Sequence, residues 1–272
     1  MSSLVSYLGE EFLAVASAYT ETDNHGMAVY ICGVRPQSDT QLTVKLPSGH
    51  RFEVGQLVTL HLDNRTGVSE YDADLKVYRA SFKGRVAAIS TYEVLVSAVE
   101  YQLFYGLTVV KEYREPGYEF PQDIRPPQAI ADTPLTYVPA VDMEEQDNKV
   151  GVLFTYAAGQ PHSTVLAFLS SEEDDIFFIT FRGTFKEQVL SKDSRCYFAI
   201  DGRASFTFEH AIEWNYSIIQ GRVFEVPKDS DLFIDIRERF IMKNPWEMGF
   251  FSHPDVVMFH IQPEHVVCPG HG

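Results

Sequence analysis

The sequence predicts a mainly β protein of two β domains with few helices, and three observations carry that prediction. Apolar runs of strand length recur along most of the 272 residues, divided by Gly, Asn, Asp and Ser. A proline-rich stretch interrupts them near the middle of the chain. Hydrophobic residues make up 45% and charged residues 22%, with no low-complexity tract, which is the composition of a folded chain. At roughly 150 residues per domain, the length accommodates two cores.

Residues 4–19 place Leu4, Leu8, Phe12 and Val15 at helical spacing, which predicts one amphipathic packing helix. From Met27 to about Glu115 the pattern is that of strands: AVYICGV, QLTVKLP, QLVTLHLD, LKVYRASFKGRVAAIS, YEVLVSAVEYQLF and GLTVVKEY. Six such strands predict a small antiparallel barrel, so residues 1–115 read as an N-terminal helix and barrel. Between Pro116 and Asn148 lie six of the fourteen prolines (Pro116, Pro121, Pro126, Pro127, Pro134, Pro139), which predicts an extended connector over 116–148.

The β pattern resumes over residues 149–272 with VGVLFTYAA, STVLAFLS, DIFFITF, CYFAI, ASFTFE and NYSIIQGRVFEV. An amphipathic helix follows over about 229–243, then a last strand, VVMFHIQP. Glu172, Glu173, Asp174 and Asp175 read as a solvated hairpin turn and lack the spacing of a calcium loop. Tyr197, Phe198, Phe206, Phe208 and Trp214 read as barrel core.

Asp and Glu total 38 against 22 Lys and Arg, a net charge of −16. The N-terminal stretch, the connector and the C-terminal stretch are each net negative, which argues against a general grip on nucleic acid or anionic membranes. Any anion site must be a local pocket. Cys32, Cys196 and Cys268 are odd in number and widely spaced, as free thiols in a reducing compartment would be. The N-terminus lacks a basic region and carries Glu10 and Glu11 within its apolar pattern, and no run approaches ~18 apolar residues. These features predict a cytoplasmic protein.

The segment IFFITFRGTFKEQVL, residues 176–190, runs from an apolar strand into Arg182, Gly183, Thr184 and Lys186. Backbone NH groups, a hydroxyl and two cations at such a turn can clamp a phosphate, and the plain alternative is a solvated turn.

With GQPHSTVLAF (159–168), FITFRGTFK (178–186), DSRCYFAI (193–200) and SIIQGRVFEV (217–226), residues 149–267 resemble, in order and spacing, the FMN-binding split-barrel family related to pyridoxamine 5'-phosphate oxidase. The resemblance implies a six-stranded split β-barrel that forms a homodimer, with FMN in grooves at the subunit interface. It implies that Ser163, Thr164, Val165 and Leu166 lie along the flavin ring and that Thr180, Thr184 and Lys186 hold the ribityl phosphate. Arg182 is added from its charge alone, and Gln220, just before Gly221, falls where the partner subunit often contributes.

Two departures redirect the expected activity. Phe185 stands where the family usually has a second basic residue, and the chain ends HVVCPGHG with no arginine after Arg239. The resemblance therefore implies an FMN-dependent oxidoreductase acting on an unidentified small molecule, not on pyridoxamine phosphate. No acid–base pair can be assigned, and His162 beside the flavin-facing strand reads as structural.

Two other readings stand beside it. His260, His265, Cys268 and His271, at spacings of five, three and three, permit a haem or metal ligand set, and some split-barrel relatives bind and degrade haem. A dimeric, non-enzymatic regulator with a vacant barrel is the other. The N-terminal half weakly resembles PilZ-type barrels through FEVGQLVTLHLD, FKGRVAAIS and GLTVVKEY, but lacks their arginine pair and Asp-x-Ser-x-x-Gly turn. Asp63, Asn64, Arg65, Thr66 and Gly67 trace only its outline, so a docking or dimer-stabilising role is expected there.

Overall fold

The computed structural model describes residues 2–20, 26–66, 75–202 and 216–267. The chain divides into two compact units, Met1–Gln122 with Ala157–Ser163 and Asp201–Tyr216, and Asp123–Tyr156 with Thr164–Ile200 and Ser217–Gly272.

The first unit contains α1 (Leu4–Leu8), β1 (Phe12–Tyr19), β2 (Met27–Pro36), β3 (Gln41–Lys45), β4 (Leu57–Asp63), β5 (Tyr78–Ile89), β6 (Glu93–Tyr105) and β7 (Thr108–Arg114). The antiparallel order β3-β2-β1-β4-β5-β6-β7 is closed by pairing of β3 with β6, so six strands form a barrel and β7 extends its edge. Ala14, Ala16, Leu60, Leu62 and Phe82 fill the core, where Tyr101 stacks on Phe82 with ring centres 5.3 Å apart.

The helix expected over 4–19 is overturned. Only Leu4–Leu8 is helical, capped by Ser3 and stopped at Gly9, whose φ of +93° suits glycine. From Phe12 the next eight residues are a strand buried on both faces, lodged between β2 and β4. Such a strand shows no alternation, and Phe12 and Val15 fall at helical spacing from Leu8 without being helical. Small Ala14, Ala16, Ser17 and Ala18 let it pack on both sides.

The segment 157–163 is bound to this barrel by side chains. Thr59 donates its hydroxyl to the Pro161 carbonyl at 2.6 Å, and Gln160 donates Nε2 to the Val58 carbonyl at 2.7 Å.

The second unit is built from β8 (Val150–Thr155), β9 (His162–Ser170), β10 (Ile176–Phe181), α2 (Phe185–Leu190), β11 (Arg195–Asp201), β12 (Tyr216–Val226), α3 (Asp231–Lys243), α4 (Met248–Phe251) and β13 (Val256–Val267). Its barrel closes in the order β10-β13-β12-β11-β8-β9. Leu153, Phe168, Phe178, Phe198, Ile219 and Phe259 fill it. α3 begins at Ser230, whose hydroxyl accepts the Phe233 N–H, and lays Phe233, Ile236 and Phe240 on the outer face of β9, β10 and β13.

Both barrels are six-stranded, closed and antiparallel, and helices are few, as the sequence predicts, but β1 takes the place in the N-terminal closure expected for GLTVVKEY, whose strand β7 lies outside it. The expected strand ASFTFE lies outside the described residues, as do Phe206, Phe208, Trp214, Gly67, Cys268 and His271.

The proline-rich segment lies along the second barrel as a strap. Residues between its prolines keep their N–H groups and use them: Gln128 donates to Ser191, Thr133 to Glu225 and Asp142 to Ser170. Glu225 in turn donates its N–H to the Ala131 carbonyl.

Candidate functional site

The site is organised by an incomplete ladder. β10 pairs with β9 at Ile176↔Ser170, Phe177↔Leu169 and Phe178↔Phe168, then continues to Phe181 on β13 alone among the described pairings. On the other side of this seam Thr164, Val165, Leu166 and Ala167 are half-buried. Extending the register would set Leu166 opposite Thr180.

Thr180 is buried at the seam end of β10, and its hydroxyl lies 3.2 Å from that of Thr184. Thr184 also donates to the Phe181 carbonyl at 2.9 Å. Gly183, with φ +77°, turns the chain between them into α2.

Lys186 follows on the first turn of α2. It is half-buried, and burial pushes its ammonium below the ordinary lysine range. No carboxylate partners it among the described residues, in a chain whose net charge is −16. A partly desolvated cation without a counter-ion costs stability that a bound anion would offset.

Arg182 points to a different environment. It pairs with Glu225 and lies 3.6 Å from Glu187, and the hydrogen bond to Glu225 raises its guanidinium further above its ordinary range. Glu187 also accepts the Gly183 N–H at 3.1 Å.

Ser163 belongs to the first unit, where it is buried with its hydroxyl 2.8 Å from that of Ser81. Gln220 is half-buried on β12 at a bulge where Gly221 approaches β13 so closely that a Cβ would lie 2.2 Å from the Gln262 carbonyl oxygen. Of the expected flavin residues, then, Thr180, Thr184 and Lys186 gather at one end of β10, Thr164, Val165 and Leu166 line the facing strand, and Arg182 is held by carboxylates.

Sequence reasoning missed a buried relay. His260 is fully buried, with Nε2 2.7 Å from Asp175 Oδ1 and Nδ1 2.7 Å from Thr133 Oγ1. Asp175 also accepts the Ser171 hydroxyl, and Phe177 stacks on the imidazole. The reading of Asp175 as part of a solvated turn is thereby corrected: Glu172 and Glu173 are exposed, but Asp175, immediately before β10, is only 5% exposed and meets His260 of β13.

The relay also bears on the histidine and cysteine set. Ligation by His260 would cost one of its two hydrogen bonds, and His265 is exposed on β13. Among the described residues no three His, Cys, Asp or Glu are grouped to hold a metal.

Fold and site together define a closed β-barrel in which the β9–β10 ladder stops short and β10 leads into α2, whose Lys186 has no carboxylate partner among the described residues. No family model and no curated protein sequence matches the chain. Among solved structures it is similar to the haem storage protein HutZ of Vibrio cholerae, at 18% identity over 46% of this chain and 88% of that chain, with a TM-score of 0.39. It is similar to an FAD-binding protein of Mesorhizobium loti, at 23% identity over 44% of this chain and 82% of that chain, TM-score 0.35. A third is a protein of Listeria innocua described as a candidate pyridoxamine 5'-phosphate oxidase, at 19% identity over 44% and 88%, TM-score 0.34. The structural neighbours thus include flavin-binding, haem-binding and pyridoxamine-oxidase-like proteins. No helix among the described residues is long and apolar enough to cross a membrane.

Proposed function

We propose that the second barrel binds FMN and that the protein is an oxidoreductase acting, as a homodimer, on an unidentified small molecule. The observation that carries this reading is Lys186, half-buried and without a carboxylate partner among the described residues, two positions beyond Thr184, whose hydroxyl meets that of Thr180. Its ammonium would take the charge of the ribityl phosphate, and the hydroxyls of Thr180 and Thr184 can rotate to donate to phosphate oxygens. Thr164, Val165 and Leu166, across the seam, would lie along the ring and limit water on that side. Gln220 offers an amide from β12. When bound, FMN supplies hydride chemistry through its isoalloxazine.

The test is the visible spectrum of purified, untagged protein, repeated on the supernatant after denaturation. A two-banded flavin spectrum, identified as FMN at near one per chain, is expected. The double variant Thr184→Ala, Lys186→Ala should lose about 1–3 kcal/mol of FMN affinity per contact. A Soret band instead would move the assignment to haem, and a colourless protein that binds no added FMN would overturn it.

A further inference from the structure

A phosphomonoester carries about −1.5 to −2 charges at neutral pH, more than the single ammonium of Lys186 can balance. The next cation along the same turn is Arg182, four residues earlier and 45% exposed, which ion-pairs with Glu225 and lies near Glu187. One oxygen of Glu187 is 3.6 Å from the guanidinium and the other accepts the Gly183 N–H, so this carboxylate sits where an anion bridging these two groups would sit. Arg182, Lys186, Glu187 and Glu225 together sum to zero. The guanidinium is half-exposed, so water partly screens its ion pairs and can take part in exchanging one carboxylate for a phosphate.

Resting on the reading of Lys186 as the phosphate-binding cation, we infer that Arg182 is a second phosphate ligand held in reserve, with Glu187 as the internal carboxylate that an incoming phosphate must displace. Glu187 thereby sets the affinity threshold: ligands with a dianionic phosphate win Arg182 from it, and uncharged flavins do not. Glu225 keeps Arg182 on the barrel during the exchange. Its backbone is bonded to the strap at Ala131 and Thr133, which fixes its position.

The experiment is a fluorescence titration of full-length protein with FMN and, separately, with riboflavin, which lacks the phosphate. Glu187→Gln keeps an acceptor for the Gly183 N–H while removing the charge, so the fold is retained, as circular dichroism would verify. Glu187→Gln should tighten FMN about three- to fivefold, the upper scale of one carboxylate removed near a phosphate in a half-exposed site, and leave riboflavin unchanged. The gain should vanish in the double variant Arg182→Ala, Glu187→Gln.

FMN affinity unchanged or weakened in folded Glu187→Gln, or riboflavin tightened equally, would overturn the inference. Loss of the Lys186 reading shows differently: FMN would then bind Lys186→Ala as tightly as wild type. If FMN binds none of these proteins, both fall together.

Discussion

The two barrels share strand number and closure and differ in how fully they are zipped. In the N-terminal barrel eight residue pairs join β1 to β2, seven join β4 to β5, and five close β3 on β6. In the C-terminal barrel three pairs join β9 to β10 before the ladder stops. Charge at the compared positions differs too. Lys83 lies 3.1 Å from Glu100, Lys111 2.8 Å from Asp39 and Arg65 2.6 Å from Asp63, each cation met by a carboxylate. On α2 of the second barrel, Lys186 has none among the described residues. The short β9–β10 ladder leaves the ends of two strands less tightly joined than the longer ladders of the first barrel.

The largest expected effect breaks the zipped side. Phe82→Ala removes a fully buried ring stacked on Tyr101 and should cost about 3–5 kcal/mol in denaturant unfolding, while Leu166→Ala at the half-buried seam should cost far less. Equal losses would show that the seam is as tightly packed as the core. His260→Ala should follow at about 3 kcal/mol, since it strands buried Asp175 and frees Thr133 from the barrel. A loss under half of that would mean water takes over both hydrogen bonds.

Next comes the ligand itself. FMN at one hundred times its dissociation constant should stabilise the protein by about 2.7 kcal/mol, and the same concentration should give Lys186→Ala little protection in a thermal melt. The smallest effects separate the barrels by pH. Burial acts to raise the Glu100 carboxyl, but Lys83 and Arg114 hold it below its usual value, so these pairs stabilise above the unfolded carboxylate range and are lost as pH falls through the folded value. Glu100→Gln should flatten that acid-side decline. The ammonium of Lys186 is lowered instead, so FMN affinity should begin to fall at a pH below that of an ordinary lysine.

Most strands were legible because each is a separate apolar run ended by turn residues, and the candidate turn was legible because Thr180, Thr184 and Lys186 lie within seven residues. β1 was not, because a strand buried on both faces carries no period to contradict accidental helical spacing. The ion pair of Arg182 with Glu225 spans 43 residues, and the relay joins Asp175 to His260 across 85 residues. Pairings at that distance are fixed by strand order, which no local pattern records.

The strap has a practical corollary. Tyr137 is 60% exposed on it, while Gln128 and Thr133 on one side and Asp142 on the other are bonded to the barrel. A chain nicked once by a protease beside Tyr137 should therefore still migrate as a single species on a native gel, and separate into two fragments only when denaturant dissolves those bonds.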